Sequence, residues 1–308
     1  MLNLQRVVVL HELQRRGTLA AVAKALSYSP SAVSQQLSQL ERECGMALIE
    51  PVGRGVRLTD AGEALVEHTK PAIATLERAE ALLAATRGRV AGRLRVAAFQ
   101  TLLLSLLPAV LDALARNYPD LRIEVAQREA EEATSGLLAG TFDVVLGEEY
   151  PGGRLLPNPS LDRVDLRCDE MFLVMPTTGP WSGAPTLSDL ANASWALDPE
   201  PTAPGRWARS LCRGAGFEPD VRFEGVDLLV HLQMVQAGLA VSILPALLGE
   251  DRMRGVRLAS LPGSPSRQLF TLTRTSRVTH PAVVAFRAAL SEGFDAQSQR
   301  VGKRDNPC

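Results

Sequence analysis

The sequence predicts a multidomain α+β fold: a small helix-turn-helix head closed by a hairpin wing, then one long helix, then an α/β body. Three observations predict it. Residues 4–44 fall into three stretches of helical periodicity, separated by Gly17 and by Ser27-Tyr28-Ser29-Pro30. A long helical pattern follows from Thr59, carrying apolar positions spaced four, three and four apart. Beyond residue 93, apolar strand-like runs alternate with helical segments, the pattern of α/β architecture.

In the first helix Leu4, Val7, Val8, Leu10 and Leu13 cover a wide arc, so this helix is expected to be packed on more than one side. Gly17 ends it. Thr18 stands as N-cap before Leu19, Val22, Ala23 and Leu26, which share one face of a short second helix. Ser29 caps the third helix, and Pro30 occupies its first turn, where a missing N–H costs nothing. At 100° per residue Val33, Leu37, Leu40 and Cys44 make one stripe of that helix, with Ser31, Ser34, Gln35, Ser38 and Arg42 opposite. A merely solvated face is usually Glu and Lys. Ser and Gln bring short or amide-bearing side chains that approach base edges and phosphates, although a polar surface face accounts for the pattern equally well.

Ala47-Leu48-Ile49-Glu50 and Val56-Arg57-Leu58 read as strands around Pro51-Val52-Gly53-Arg54-Gly55, a wing that carries Arg54 and Arg57 outward. Thr59 caps the long helix, with Asp60 and Glu63 at its positive end. Its positions Ala72, Leu76, Ala79 and Leu83 form a short coiled-coil seam for a second chain, and Pro71 is expected to kink it. Packing of that face on its own domain is the alternative. Arg87 to Arg93 reads as a basic, glycine-containing hinge.

Of 308 residues, 46% are hydrophobic and 22% charged, which excludes a largely disordered chain. Through Arg95 thirteen Lys and Arg face nine Asp and Glu, a balance of +4, so the remainder carries −5 within the net −1. A mildly basic head on an acidic body suits a nucleic-acid partner. The amino terminus has no signal-peptide run and no stretch is long enough to span a bilayer, so a cytoplasmic, membrane-free protein is expected. Cys44, Cys168, Cys212 and Cys308 lack paired spacing and are expected as free thiols, with no metal site.

These head residues resemble the LysR-type family of bacterial transcriptional regulators, and the resemblance extends over nearly the whole chain. It is carried by Thr18, Val22-Ala23, Leu26, Ser29-Pro30-Ser31-Ala32-Val33-Ser34-Gln35-Gln36-Leu37, Leu40-Glu41, Gly45, Leu48 and Leu58-Thr59-Asp60-Ala61-Gly62. Two departures stand out. Ile49-Glu50-Pro51 replaces the usual Phe-x-Arg of the wing, and Cys44 replaces a larger apolar residue. In the body, Leu94-Arg95-Val96-Ala97, Phe142-Asp143-Val144-Val145-Leu146, Met171 to Pro176, Gly238 to Pro245 and Leu269-Phe270-Thr271-Leu272 are the landmarks.

The resemblance implies a winged helix-turn-helix over 1–58, a linker and dimerisation helix over 59–87 and a hinge at 88–92. It implies two α/β subdomains like those of periplasmic solute-binding proteins, I at 93–164 and 268–295 and II at 165–267, with a disordered tail at 296–308. Double-stranded DNA would be met by Thr18, Pro30, Ser31, Ser34, Gln35, Ser38, Arg42 and Arg54. A small-molecule effector would sit between the subdomains near Phe99, Gln100, Thr101, Glu148, Pro199, Thr202, Val226, Asp227 and Ala240. The implied assembly is a homodimer through the linker helix and then a homotetramer, with no cofactor.

Phe99-Gln100 departs from the small Ser or Thr of many relatives, and Glu148-Glu149 adds negative charge, which suggests an amine-bearing ligand unless the glutamates are plain surface groups. A thiol-based redox sensor of the same architecture would use Cys168 and Cys212. A cytoplasmic solute-binding protein would explain the body but not the head. An enzyme would need a convergent catalytic set, and His11, His68, His231 and His280 are too scattered to supply one.

Overall fold

The computed structural model describes residues 2–26, 28–53, 55–86, 88–153, 157–183 and 186–301. The chain divides into two compact units, one holding residues 1–89 with 139–141 and the other the remainder.

The first unit begins with helices α1 (Leu4–Arg16), α2 (Leu19–Leu26) and α3 (Pro30–Cys44). Val7, Val9, Leu10 and Leu13 of α1, Val22 and Ala23 of α2, and Val33, Leu37 and Leu40 of α3 close on one core. The caps follow the sequence. Gly17 and Gly45 take left-handed conformations at the ends of α1 and α3. Thr18 Oγ1 accepts from Ala21 N, and Ser29 Oγ from Ala32 N, opening α2 and α3.

Strands β1 (Ile49–Val52) and β2 (Gly55–Leu58) pair antiparallel with Val52 opposite Gly55. The wing ladder thus reaches further than expected, and Pro51, expected in the turn, faces Val56 inside it. A two-stranded ribbon has two open edges, so proline's missing N–H is tolerated there. Helix α4 (Asp60–Thr86) runs through Pro71 without a break. Gly62 lets its first turn touch the chain before the wing: a Cβ there would lie 2.2 Å from the Leu48 carbonyl oxygen.

The second unit has two lobes. In the first, β3 (Gly92–Ala98) leads through α5 (Gln100–Ser105) and α6 (Leu107–Asn117) to the parallel β4 (Leu121–Gln127). Helix α7 (Ala130–Leu138) then returns the chain to β5 (Val144–Glu149), parallel to β3 on its other side. Strand β6 (Leu161–Pro176) spans 16 residues and serves both lobes. Residues 161–170 pair with β11 (Ser266–Arg274), which also pairs with β5; Met171–Pro176 pair with β9 (Ser242–Pro245) and β10 (Val256–Ser260). The stretch 165–170, expected in subdomain II, therefore still belongs to the first sheet.

In the second lobe β7 (Ser194–Leu197) pairs parallel with β8 (Asp220–Glu224) and bridges to Val241. Helices α8 (Ala203–Gly214) and α9 (Leu228–Gln236) complete it. The sheet of the first lobe is covered on both faces. Val96, Val144 and Leu146 meet α6 and the closing helix α10 (Pro281–Val301), while Ala97, Val145, Phe270 and Leu272 meet α7 on the opposite side. Such strands read as near-continuous apolar runs. Helix α10 corrects the expected tail: 296–301 are helical, because Ala296-Gln297-Ser298-Gln299 carries no Gly or Pro to stop it. Among the described residues no helix is long and apolar enough to cross a membrane.

Candidate functional site

On α3 the apolar stripe is buried and the opposite side is open: Pro30, Ser31, Ser34, Gln35, Ser38 and Arg42 are all exposed. Ser31 Oγ shares a 2.9 Å hydrogen bond with Ser29 Oγ, and the Arg42 guanidinium donates to Gln39 Oε1. Among the described residues none forms a side-chain hydrogen bond with Ser34, Gln35 or Ser38, which project within about a turn of one another from a rigid element. The helix is pinned from behind. Arg6 pairs with Glu43 and donates to Gln36 Oε1 at 3.2 Å, and Glu41 Oε1 accepts from Leu48 N at 2.9 Å and Ile49 N at 3.1 Å, fixing where the wing departs. Arg54 lies outside the described residues. Arg57 does not stand free: it lies opposite Glu50 across the ladder and donates to its Oε1 at 2.5 Å. The unexpected Glu50 is thus a local counter-charge.

In the body, a buried charge cluster lies at the junction of the lobes. Arg267 of β11, only 1% exposed, donates from Nε and Nη2 to Asp169 Oδ2 at 2.9 and 2.7 Å, and from Nη2 to Thr101 Oγ1 at 2.7 Å. Its Nη1 donates to Glu148 and, at 3.3 Å, to Tyr150 Oη; its Cζ lies 5.2 Å from the Phe99 ring centroid. Two carboxylates, one buried and one partly exposed, share one buried guanidinium. Burial, reinforced by their mutual repulsion for Glu148, pushes the carboxyls of Glu148 and Asp169 up, although Arg267 opposes this. Burial works against the charge of Arg267, but Glu148, Tyr150 and Asp169 outweigh it and hold Arg267 protonated.

Next to this cluster is a small pocket whose walls include Tyr150, Met171, Leu197, Asp198, Trp207 and Ile243. The rings of Tyr150 and Trp207 are tilted with centroids 5.4 Å apart. Asp198 is held by its backbone: its carbonyl accepts from Arg209 Nη1 at 2.7 Å, and Arg209 is anchored in turn on Glu224. Burial, then Glu148 and Glu129, raises the Asp198 carboxyl to about 7. The following turn is tight. Thr202 Oγ1 donates to the Pro199 carbonyl at 2.7 Å and accepts from Gly205 N at 3.1 Å, and a Cβ on Gly205 would lie 2.0 Å from that carbonyl.

Of the residues expected here, Phe99, Thr101 and Glu148 come together around Arg267. Gln100 bridges the lobes instead: its Nε2 donates to Asp227 Oδ1 at 2.7 Å, and its Oε1 accepts from Leu228 N at 2.9 Å. The Gln100 bond, then the N–H groups of α9, hold the Asp227 carboxyl below its usual range. Pro199 and Thr202 shape the turn beside Asp198. Val226 is 43% exposed and Ala240 is fully buried, and none of the nine expected residues is itself among the pocket's walls. Sequence reasoning missed Asp169, Asp198, Tyr150, Trp207 and Arg267. No local signal marks Arg267, because β11 is buried on both faces from Leu269 to Thr273 and its alternation singles out no position.

Cys44 and Cys212 are free thiols; Cys308 lies outside the described residues. Burial pushes the Cys212 thiol up to about 12, the opposite of a reactive thiolate.

A helix-turn-helix head and a two-lobed α/β body define a class, that of bacterial regulators built from a DNA-binding module and a ligand-binding module. Within it the chain belongs to the LysR family: the family described as bacterial regulatory helix-turn-helix protein, lysR family, matches residues 4–63, and LysR substrate binding domain matches 87–295. It is a LysR-type transcriptional regulator. Among its relatives, the HTH-type transcriptional regulator TcbR of Pseudomonas sp. (strain P51) is 28% identical over 275 residues, 88% of this chain and 92% of that one. A full-length OxyR variant from Pseudomonas aeruginosa shares the fold at 21% identity, with a TM-score of 0.73 over 94% of this chain and 95% of that one. CbnR complexed with its target DNA is 25% identical, with a TM-score of 0.56 over 94% of this chain and 99% of that one.

Proposed function

We propose that the chain acts in the cytoplasm, without catalysing a reaction, by placing α3 in the major groove of double-stranded DNA under control of a small molecule bound between its two lobes. One observation carries the DNA reading: the exposed face of α3 is a run of short or amide-bearing polar groups behind which the helix is rigidly packed. Gln35 takes the two-point contact to an adenine, with Pro30, Ser31 and Ser34 beside it. Thr18, Ser38, Arg42 and Arg54 hold phosphates. Because one helix reads few base pairs, two chains join along α4 and two dimers make a tetramer. The structure of CbnR with its target DNA supports a DNA partner for this architecture.

The effector site comprises Phe99, Gln100, Thr101, Glu148, Pro199, Thr202, Val226, Asp227 and Ala240, with Gln100 and Asp227 bonded across the junction of the lobes. The test is a gel-shift assay on DNA flanking the chain's own gene, repeated with a metabolite panel whose members are first ranked by thermal shift. Binding at low salt that one metabolite alters is expected. Failure to bind any such fragment overturns the DNA reading, and a panel that moves neither melting nor DNA affinity overturns the effector reading. For Gln35→Ala, loss of about 1–3 kcal/mol on the specific site but not on random DNA is expected; equal loss on both removes Gln35 from base readout.

A further inference from the structure

We propose that α5 is a latch between the lobes: Gln100 fastens its first residue to the start of α9, and the latch keeps the two lobes shut against each other. The inference goes beyond the effector reading above and does not depend on it.

Helix α5 belongs to the first lobe, where it follows β3 directly. Both of its ends are nevertheless attached to the second. At the leading end the Gln100 carboxamide uses both polar atoms on α9: Nε2 donates to Asp227 Oδ1 at 2.7 Å, and Oε1 accepts from Leu228 N at 2.9 Å. At the trailing end the Leu104 carbonyl accepts from Arg252 Nη2 at 3.0 Å, and Arg252 Nη1 donates to the Leu248 carbonyl at 3.3 Å. The Leu104 side chain packs against the core of the second lobe, beside Leu232, Leu244 and Leu248. The exchange is mutual. Leu247 packs on the core of the first lobe, while its N–H donates to Asp169 Oδ1 at 2.9 Å.

The two ends differ in kind. Around Leu104 the contact is apolar and non-directional, so it holds the lobes together without fixing how they meet. The Gln100 bonds are directional, and they tie residues 127 and 128 positions apart. Asp227 joins the latch to the frame of α9, because the same Oδ1 accepts from Leu229 N at 2.9 Å as the cap of that helix. Gln100 is half-buried and Asp227 exposed, so water can replace both bonds and the latch is reversible. Two such bonds bias the closed arrangement by about tenfold.

The test is hydrogen–deuterium exchange read by mass spectrometry on the full chain. In Gln100→Ala, peptides covering α5 and residues 246–253 are expected to exchange about tenfold faster, because the opening that uncovers Leu104 and Leu247 becomes that much more frequent. Asp227→Ser still caps α9 but is too short to hold Gln100, and is expected to speed the same peptides by about threefold. Asp227→Asn keeps an acceptor for Gln100 and is expected to stay within about twofold of the native chain. Native exchange in α6 and α8 shows that each lobe of a variant is folded. Native rates at α5 and 246–253 in Gln100→Ala, or faster exchange confined to the first turn of α9, overturn the latch and leave Gln100 as a surface contact. Faster exchange in Gln100→Ala that Asp227→Ser does not share at all also overturns it; the metabolite panel decides the effector reading separately.

Discussion

Replacing Arg267 by methionine leaves Glu148 and Asp169 facing each other with no cation between them. The guanidinium makes three bonds to these two carboxylates and one each to Thr101 and Tyr150, with Arg267 itself fully buried. Breaking a buried pair by removing one partner costs about 3–5 kcal/mol, because the remaining charge is stranded. With a urea slope of about 2 kcal/mol/M for a body of this size, the midpoint should fall by about 2 M. The sign with pH follows from the direction of the shifts. Both carboxyls are raised above their unfolded values, so they favour the folded state when protonated and oppose it as pH rises through their folded pKa. Losing Arg267 raises them further, so the deficit should be largest near pH 8 and shrink toward pH 5. Trp181, Trp195 and Trp207, the chain's three tryptophans, all lie in the second lobe, so urea melts followed by their emission report on the body alone. Adding Glu148→Gln should restore about half the loss. A deficit under about 1 kcal/mol, or one independent of pH, would refute the buried-pair reasoning.

Glu50→Gln frees Arg57 of its cross-strand partner, so affinity for random DNA should rise severalfold and the slope of log affinity against log salt should steepen by about 1; an unchanged slope would show that Arg57 meets no phosphate. His11, bonded to Thr69 Oγ1 at 2.8 Å, has its pKa lowered to about 4 by burial and then by Lys70, so the head should lose stability as pH falls from 6.5 toward 4. Allowing for its partial exposure the effect is about 1–2 kcal/mol, and circular-dichroism melts should show His11→Gln less acid-labile than the native chain. Leu76 and Leu83 of α4 are 42% and 65% exposed within one chain, so Leu76→Glu with Leu83→Glu should weaken dimerisation on the order of a hundredfold by analytical ultracentrifugation.

What is legible in the sequence is local. The stripe Val33, Leu37, Leu40 needs only the helical period, and Gly17, Ser29 and Gly45 mark helix ends within a turn of their own residues, so residue spacing alone is enough to draw the head. The first wing strand reads as ending two residues early because Pro51 resembles a turn residue, while the open edges of a two-stranded ribbon accept it. The expected tail starts at 296 because the resemblance ends there, although nothing in 296–301 breaks a helix. The charge cluster is half visible: resemblance supplies Phe99, Thr101 and Glu148, but Arg267 reaches Asp169 across 98 residues and Thr101 across 166. No local pattern spans such separations.

The position of β11 bears on how the chain is made. It is the inner strand between β5 and β6, yet it is the last strand to be synthesised. While the ribosome is still translating, residues 1–89 can already fold around their own core, but β5 and the first half of β6 present open edges to solvent, and Glu148 and Asp169 wait without Arg267. Only when residues 266–274 emerge does one strand fill the gap and deliver the missing charge in the same event. The first lobe's sheet therefore closes only at the end of translation, and a chain truncated before Ser266 is expected to leave the edges of β5 and β6 open to aggregation.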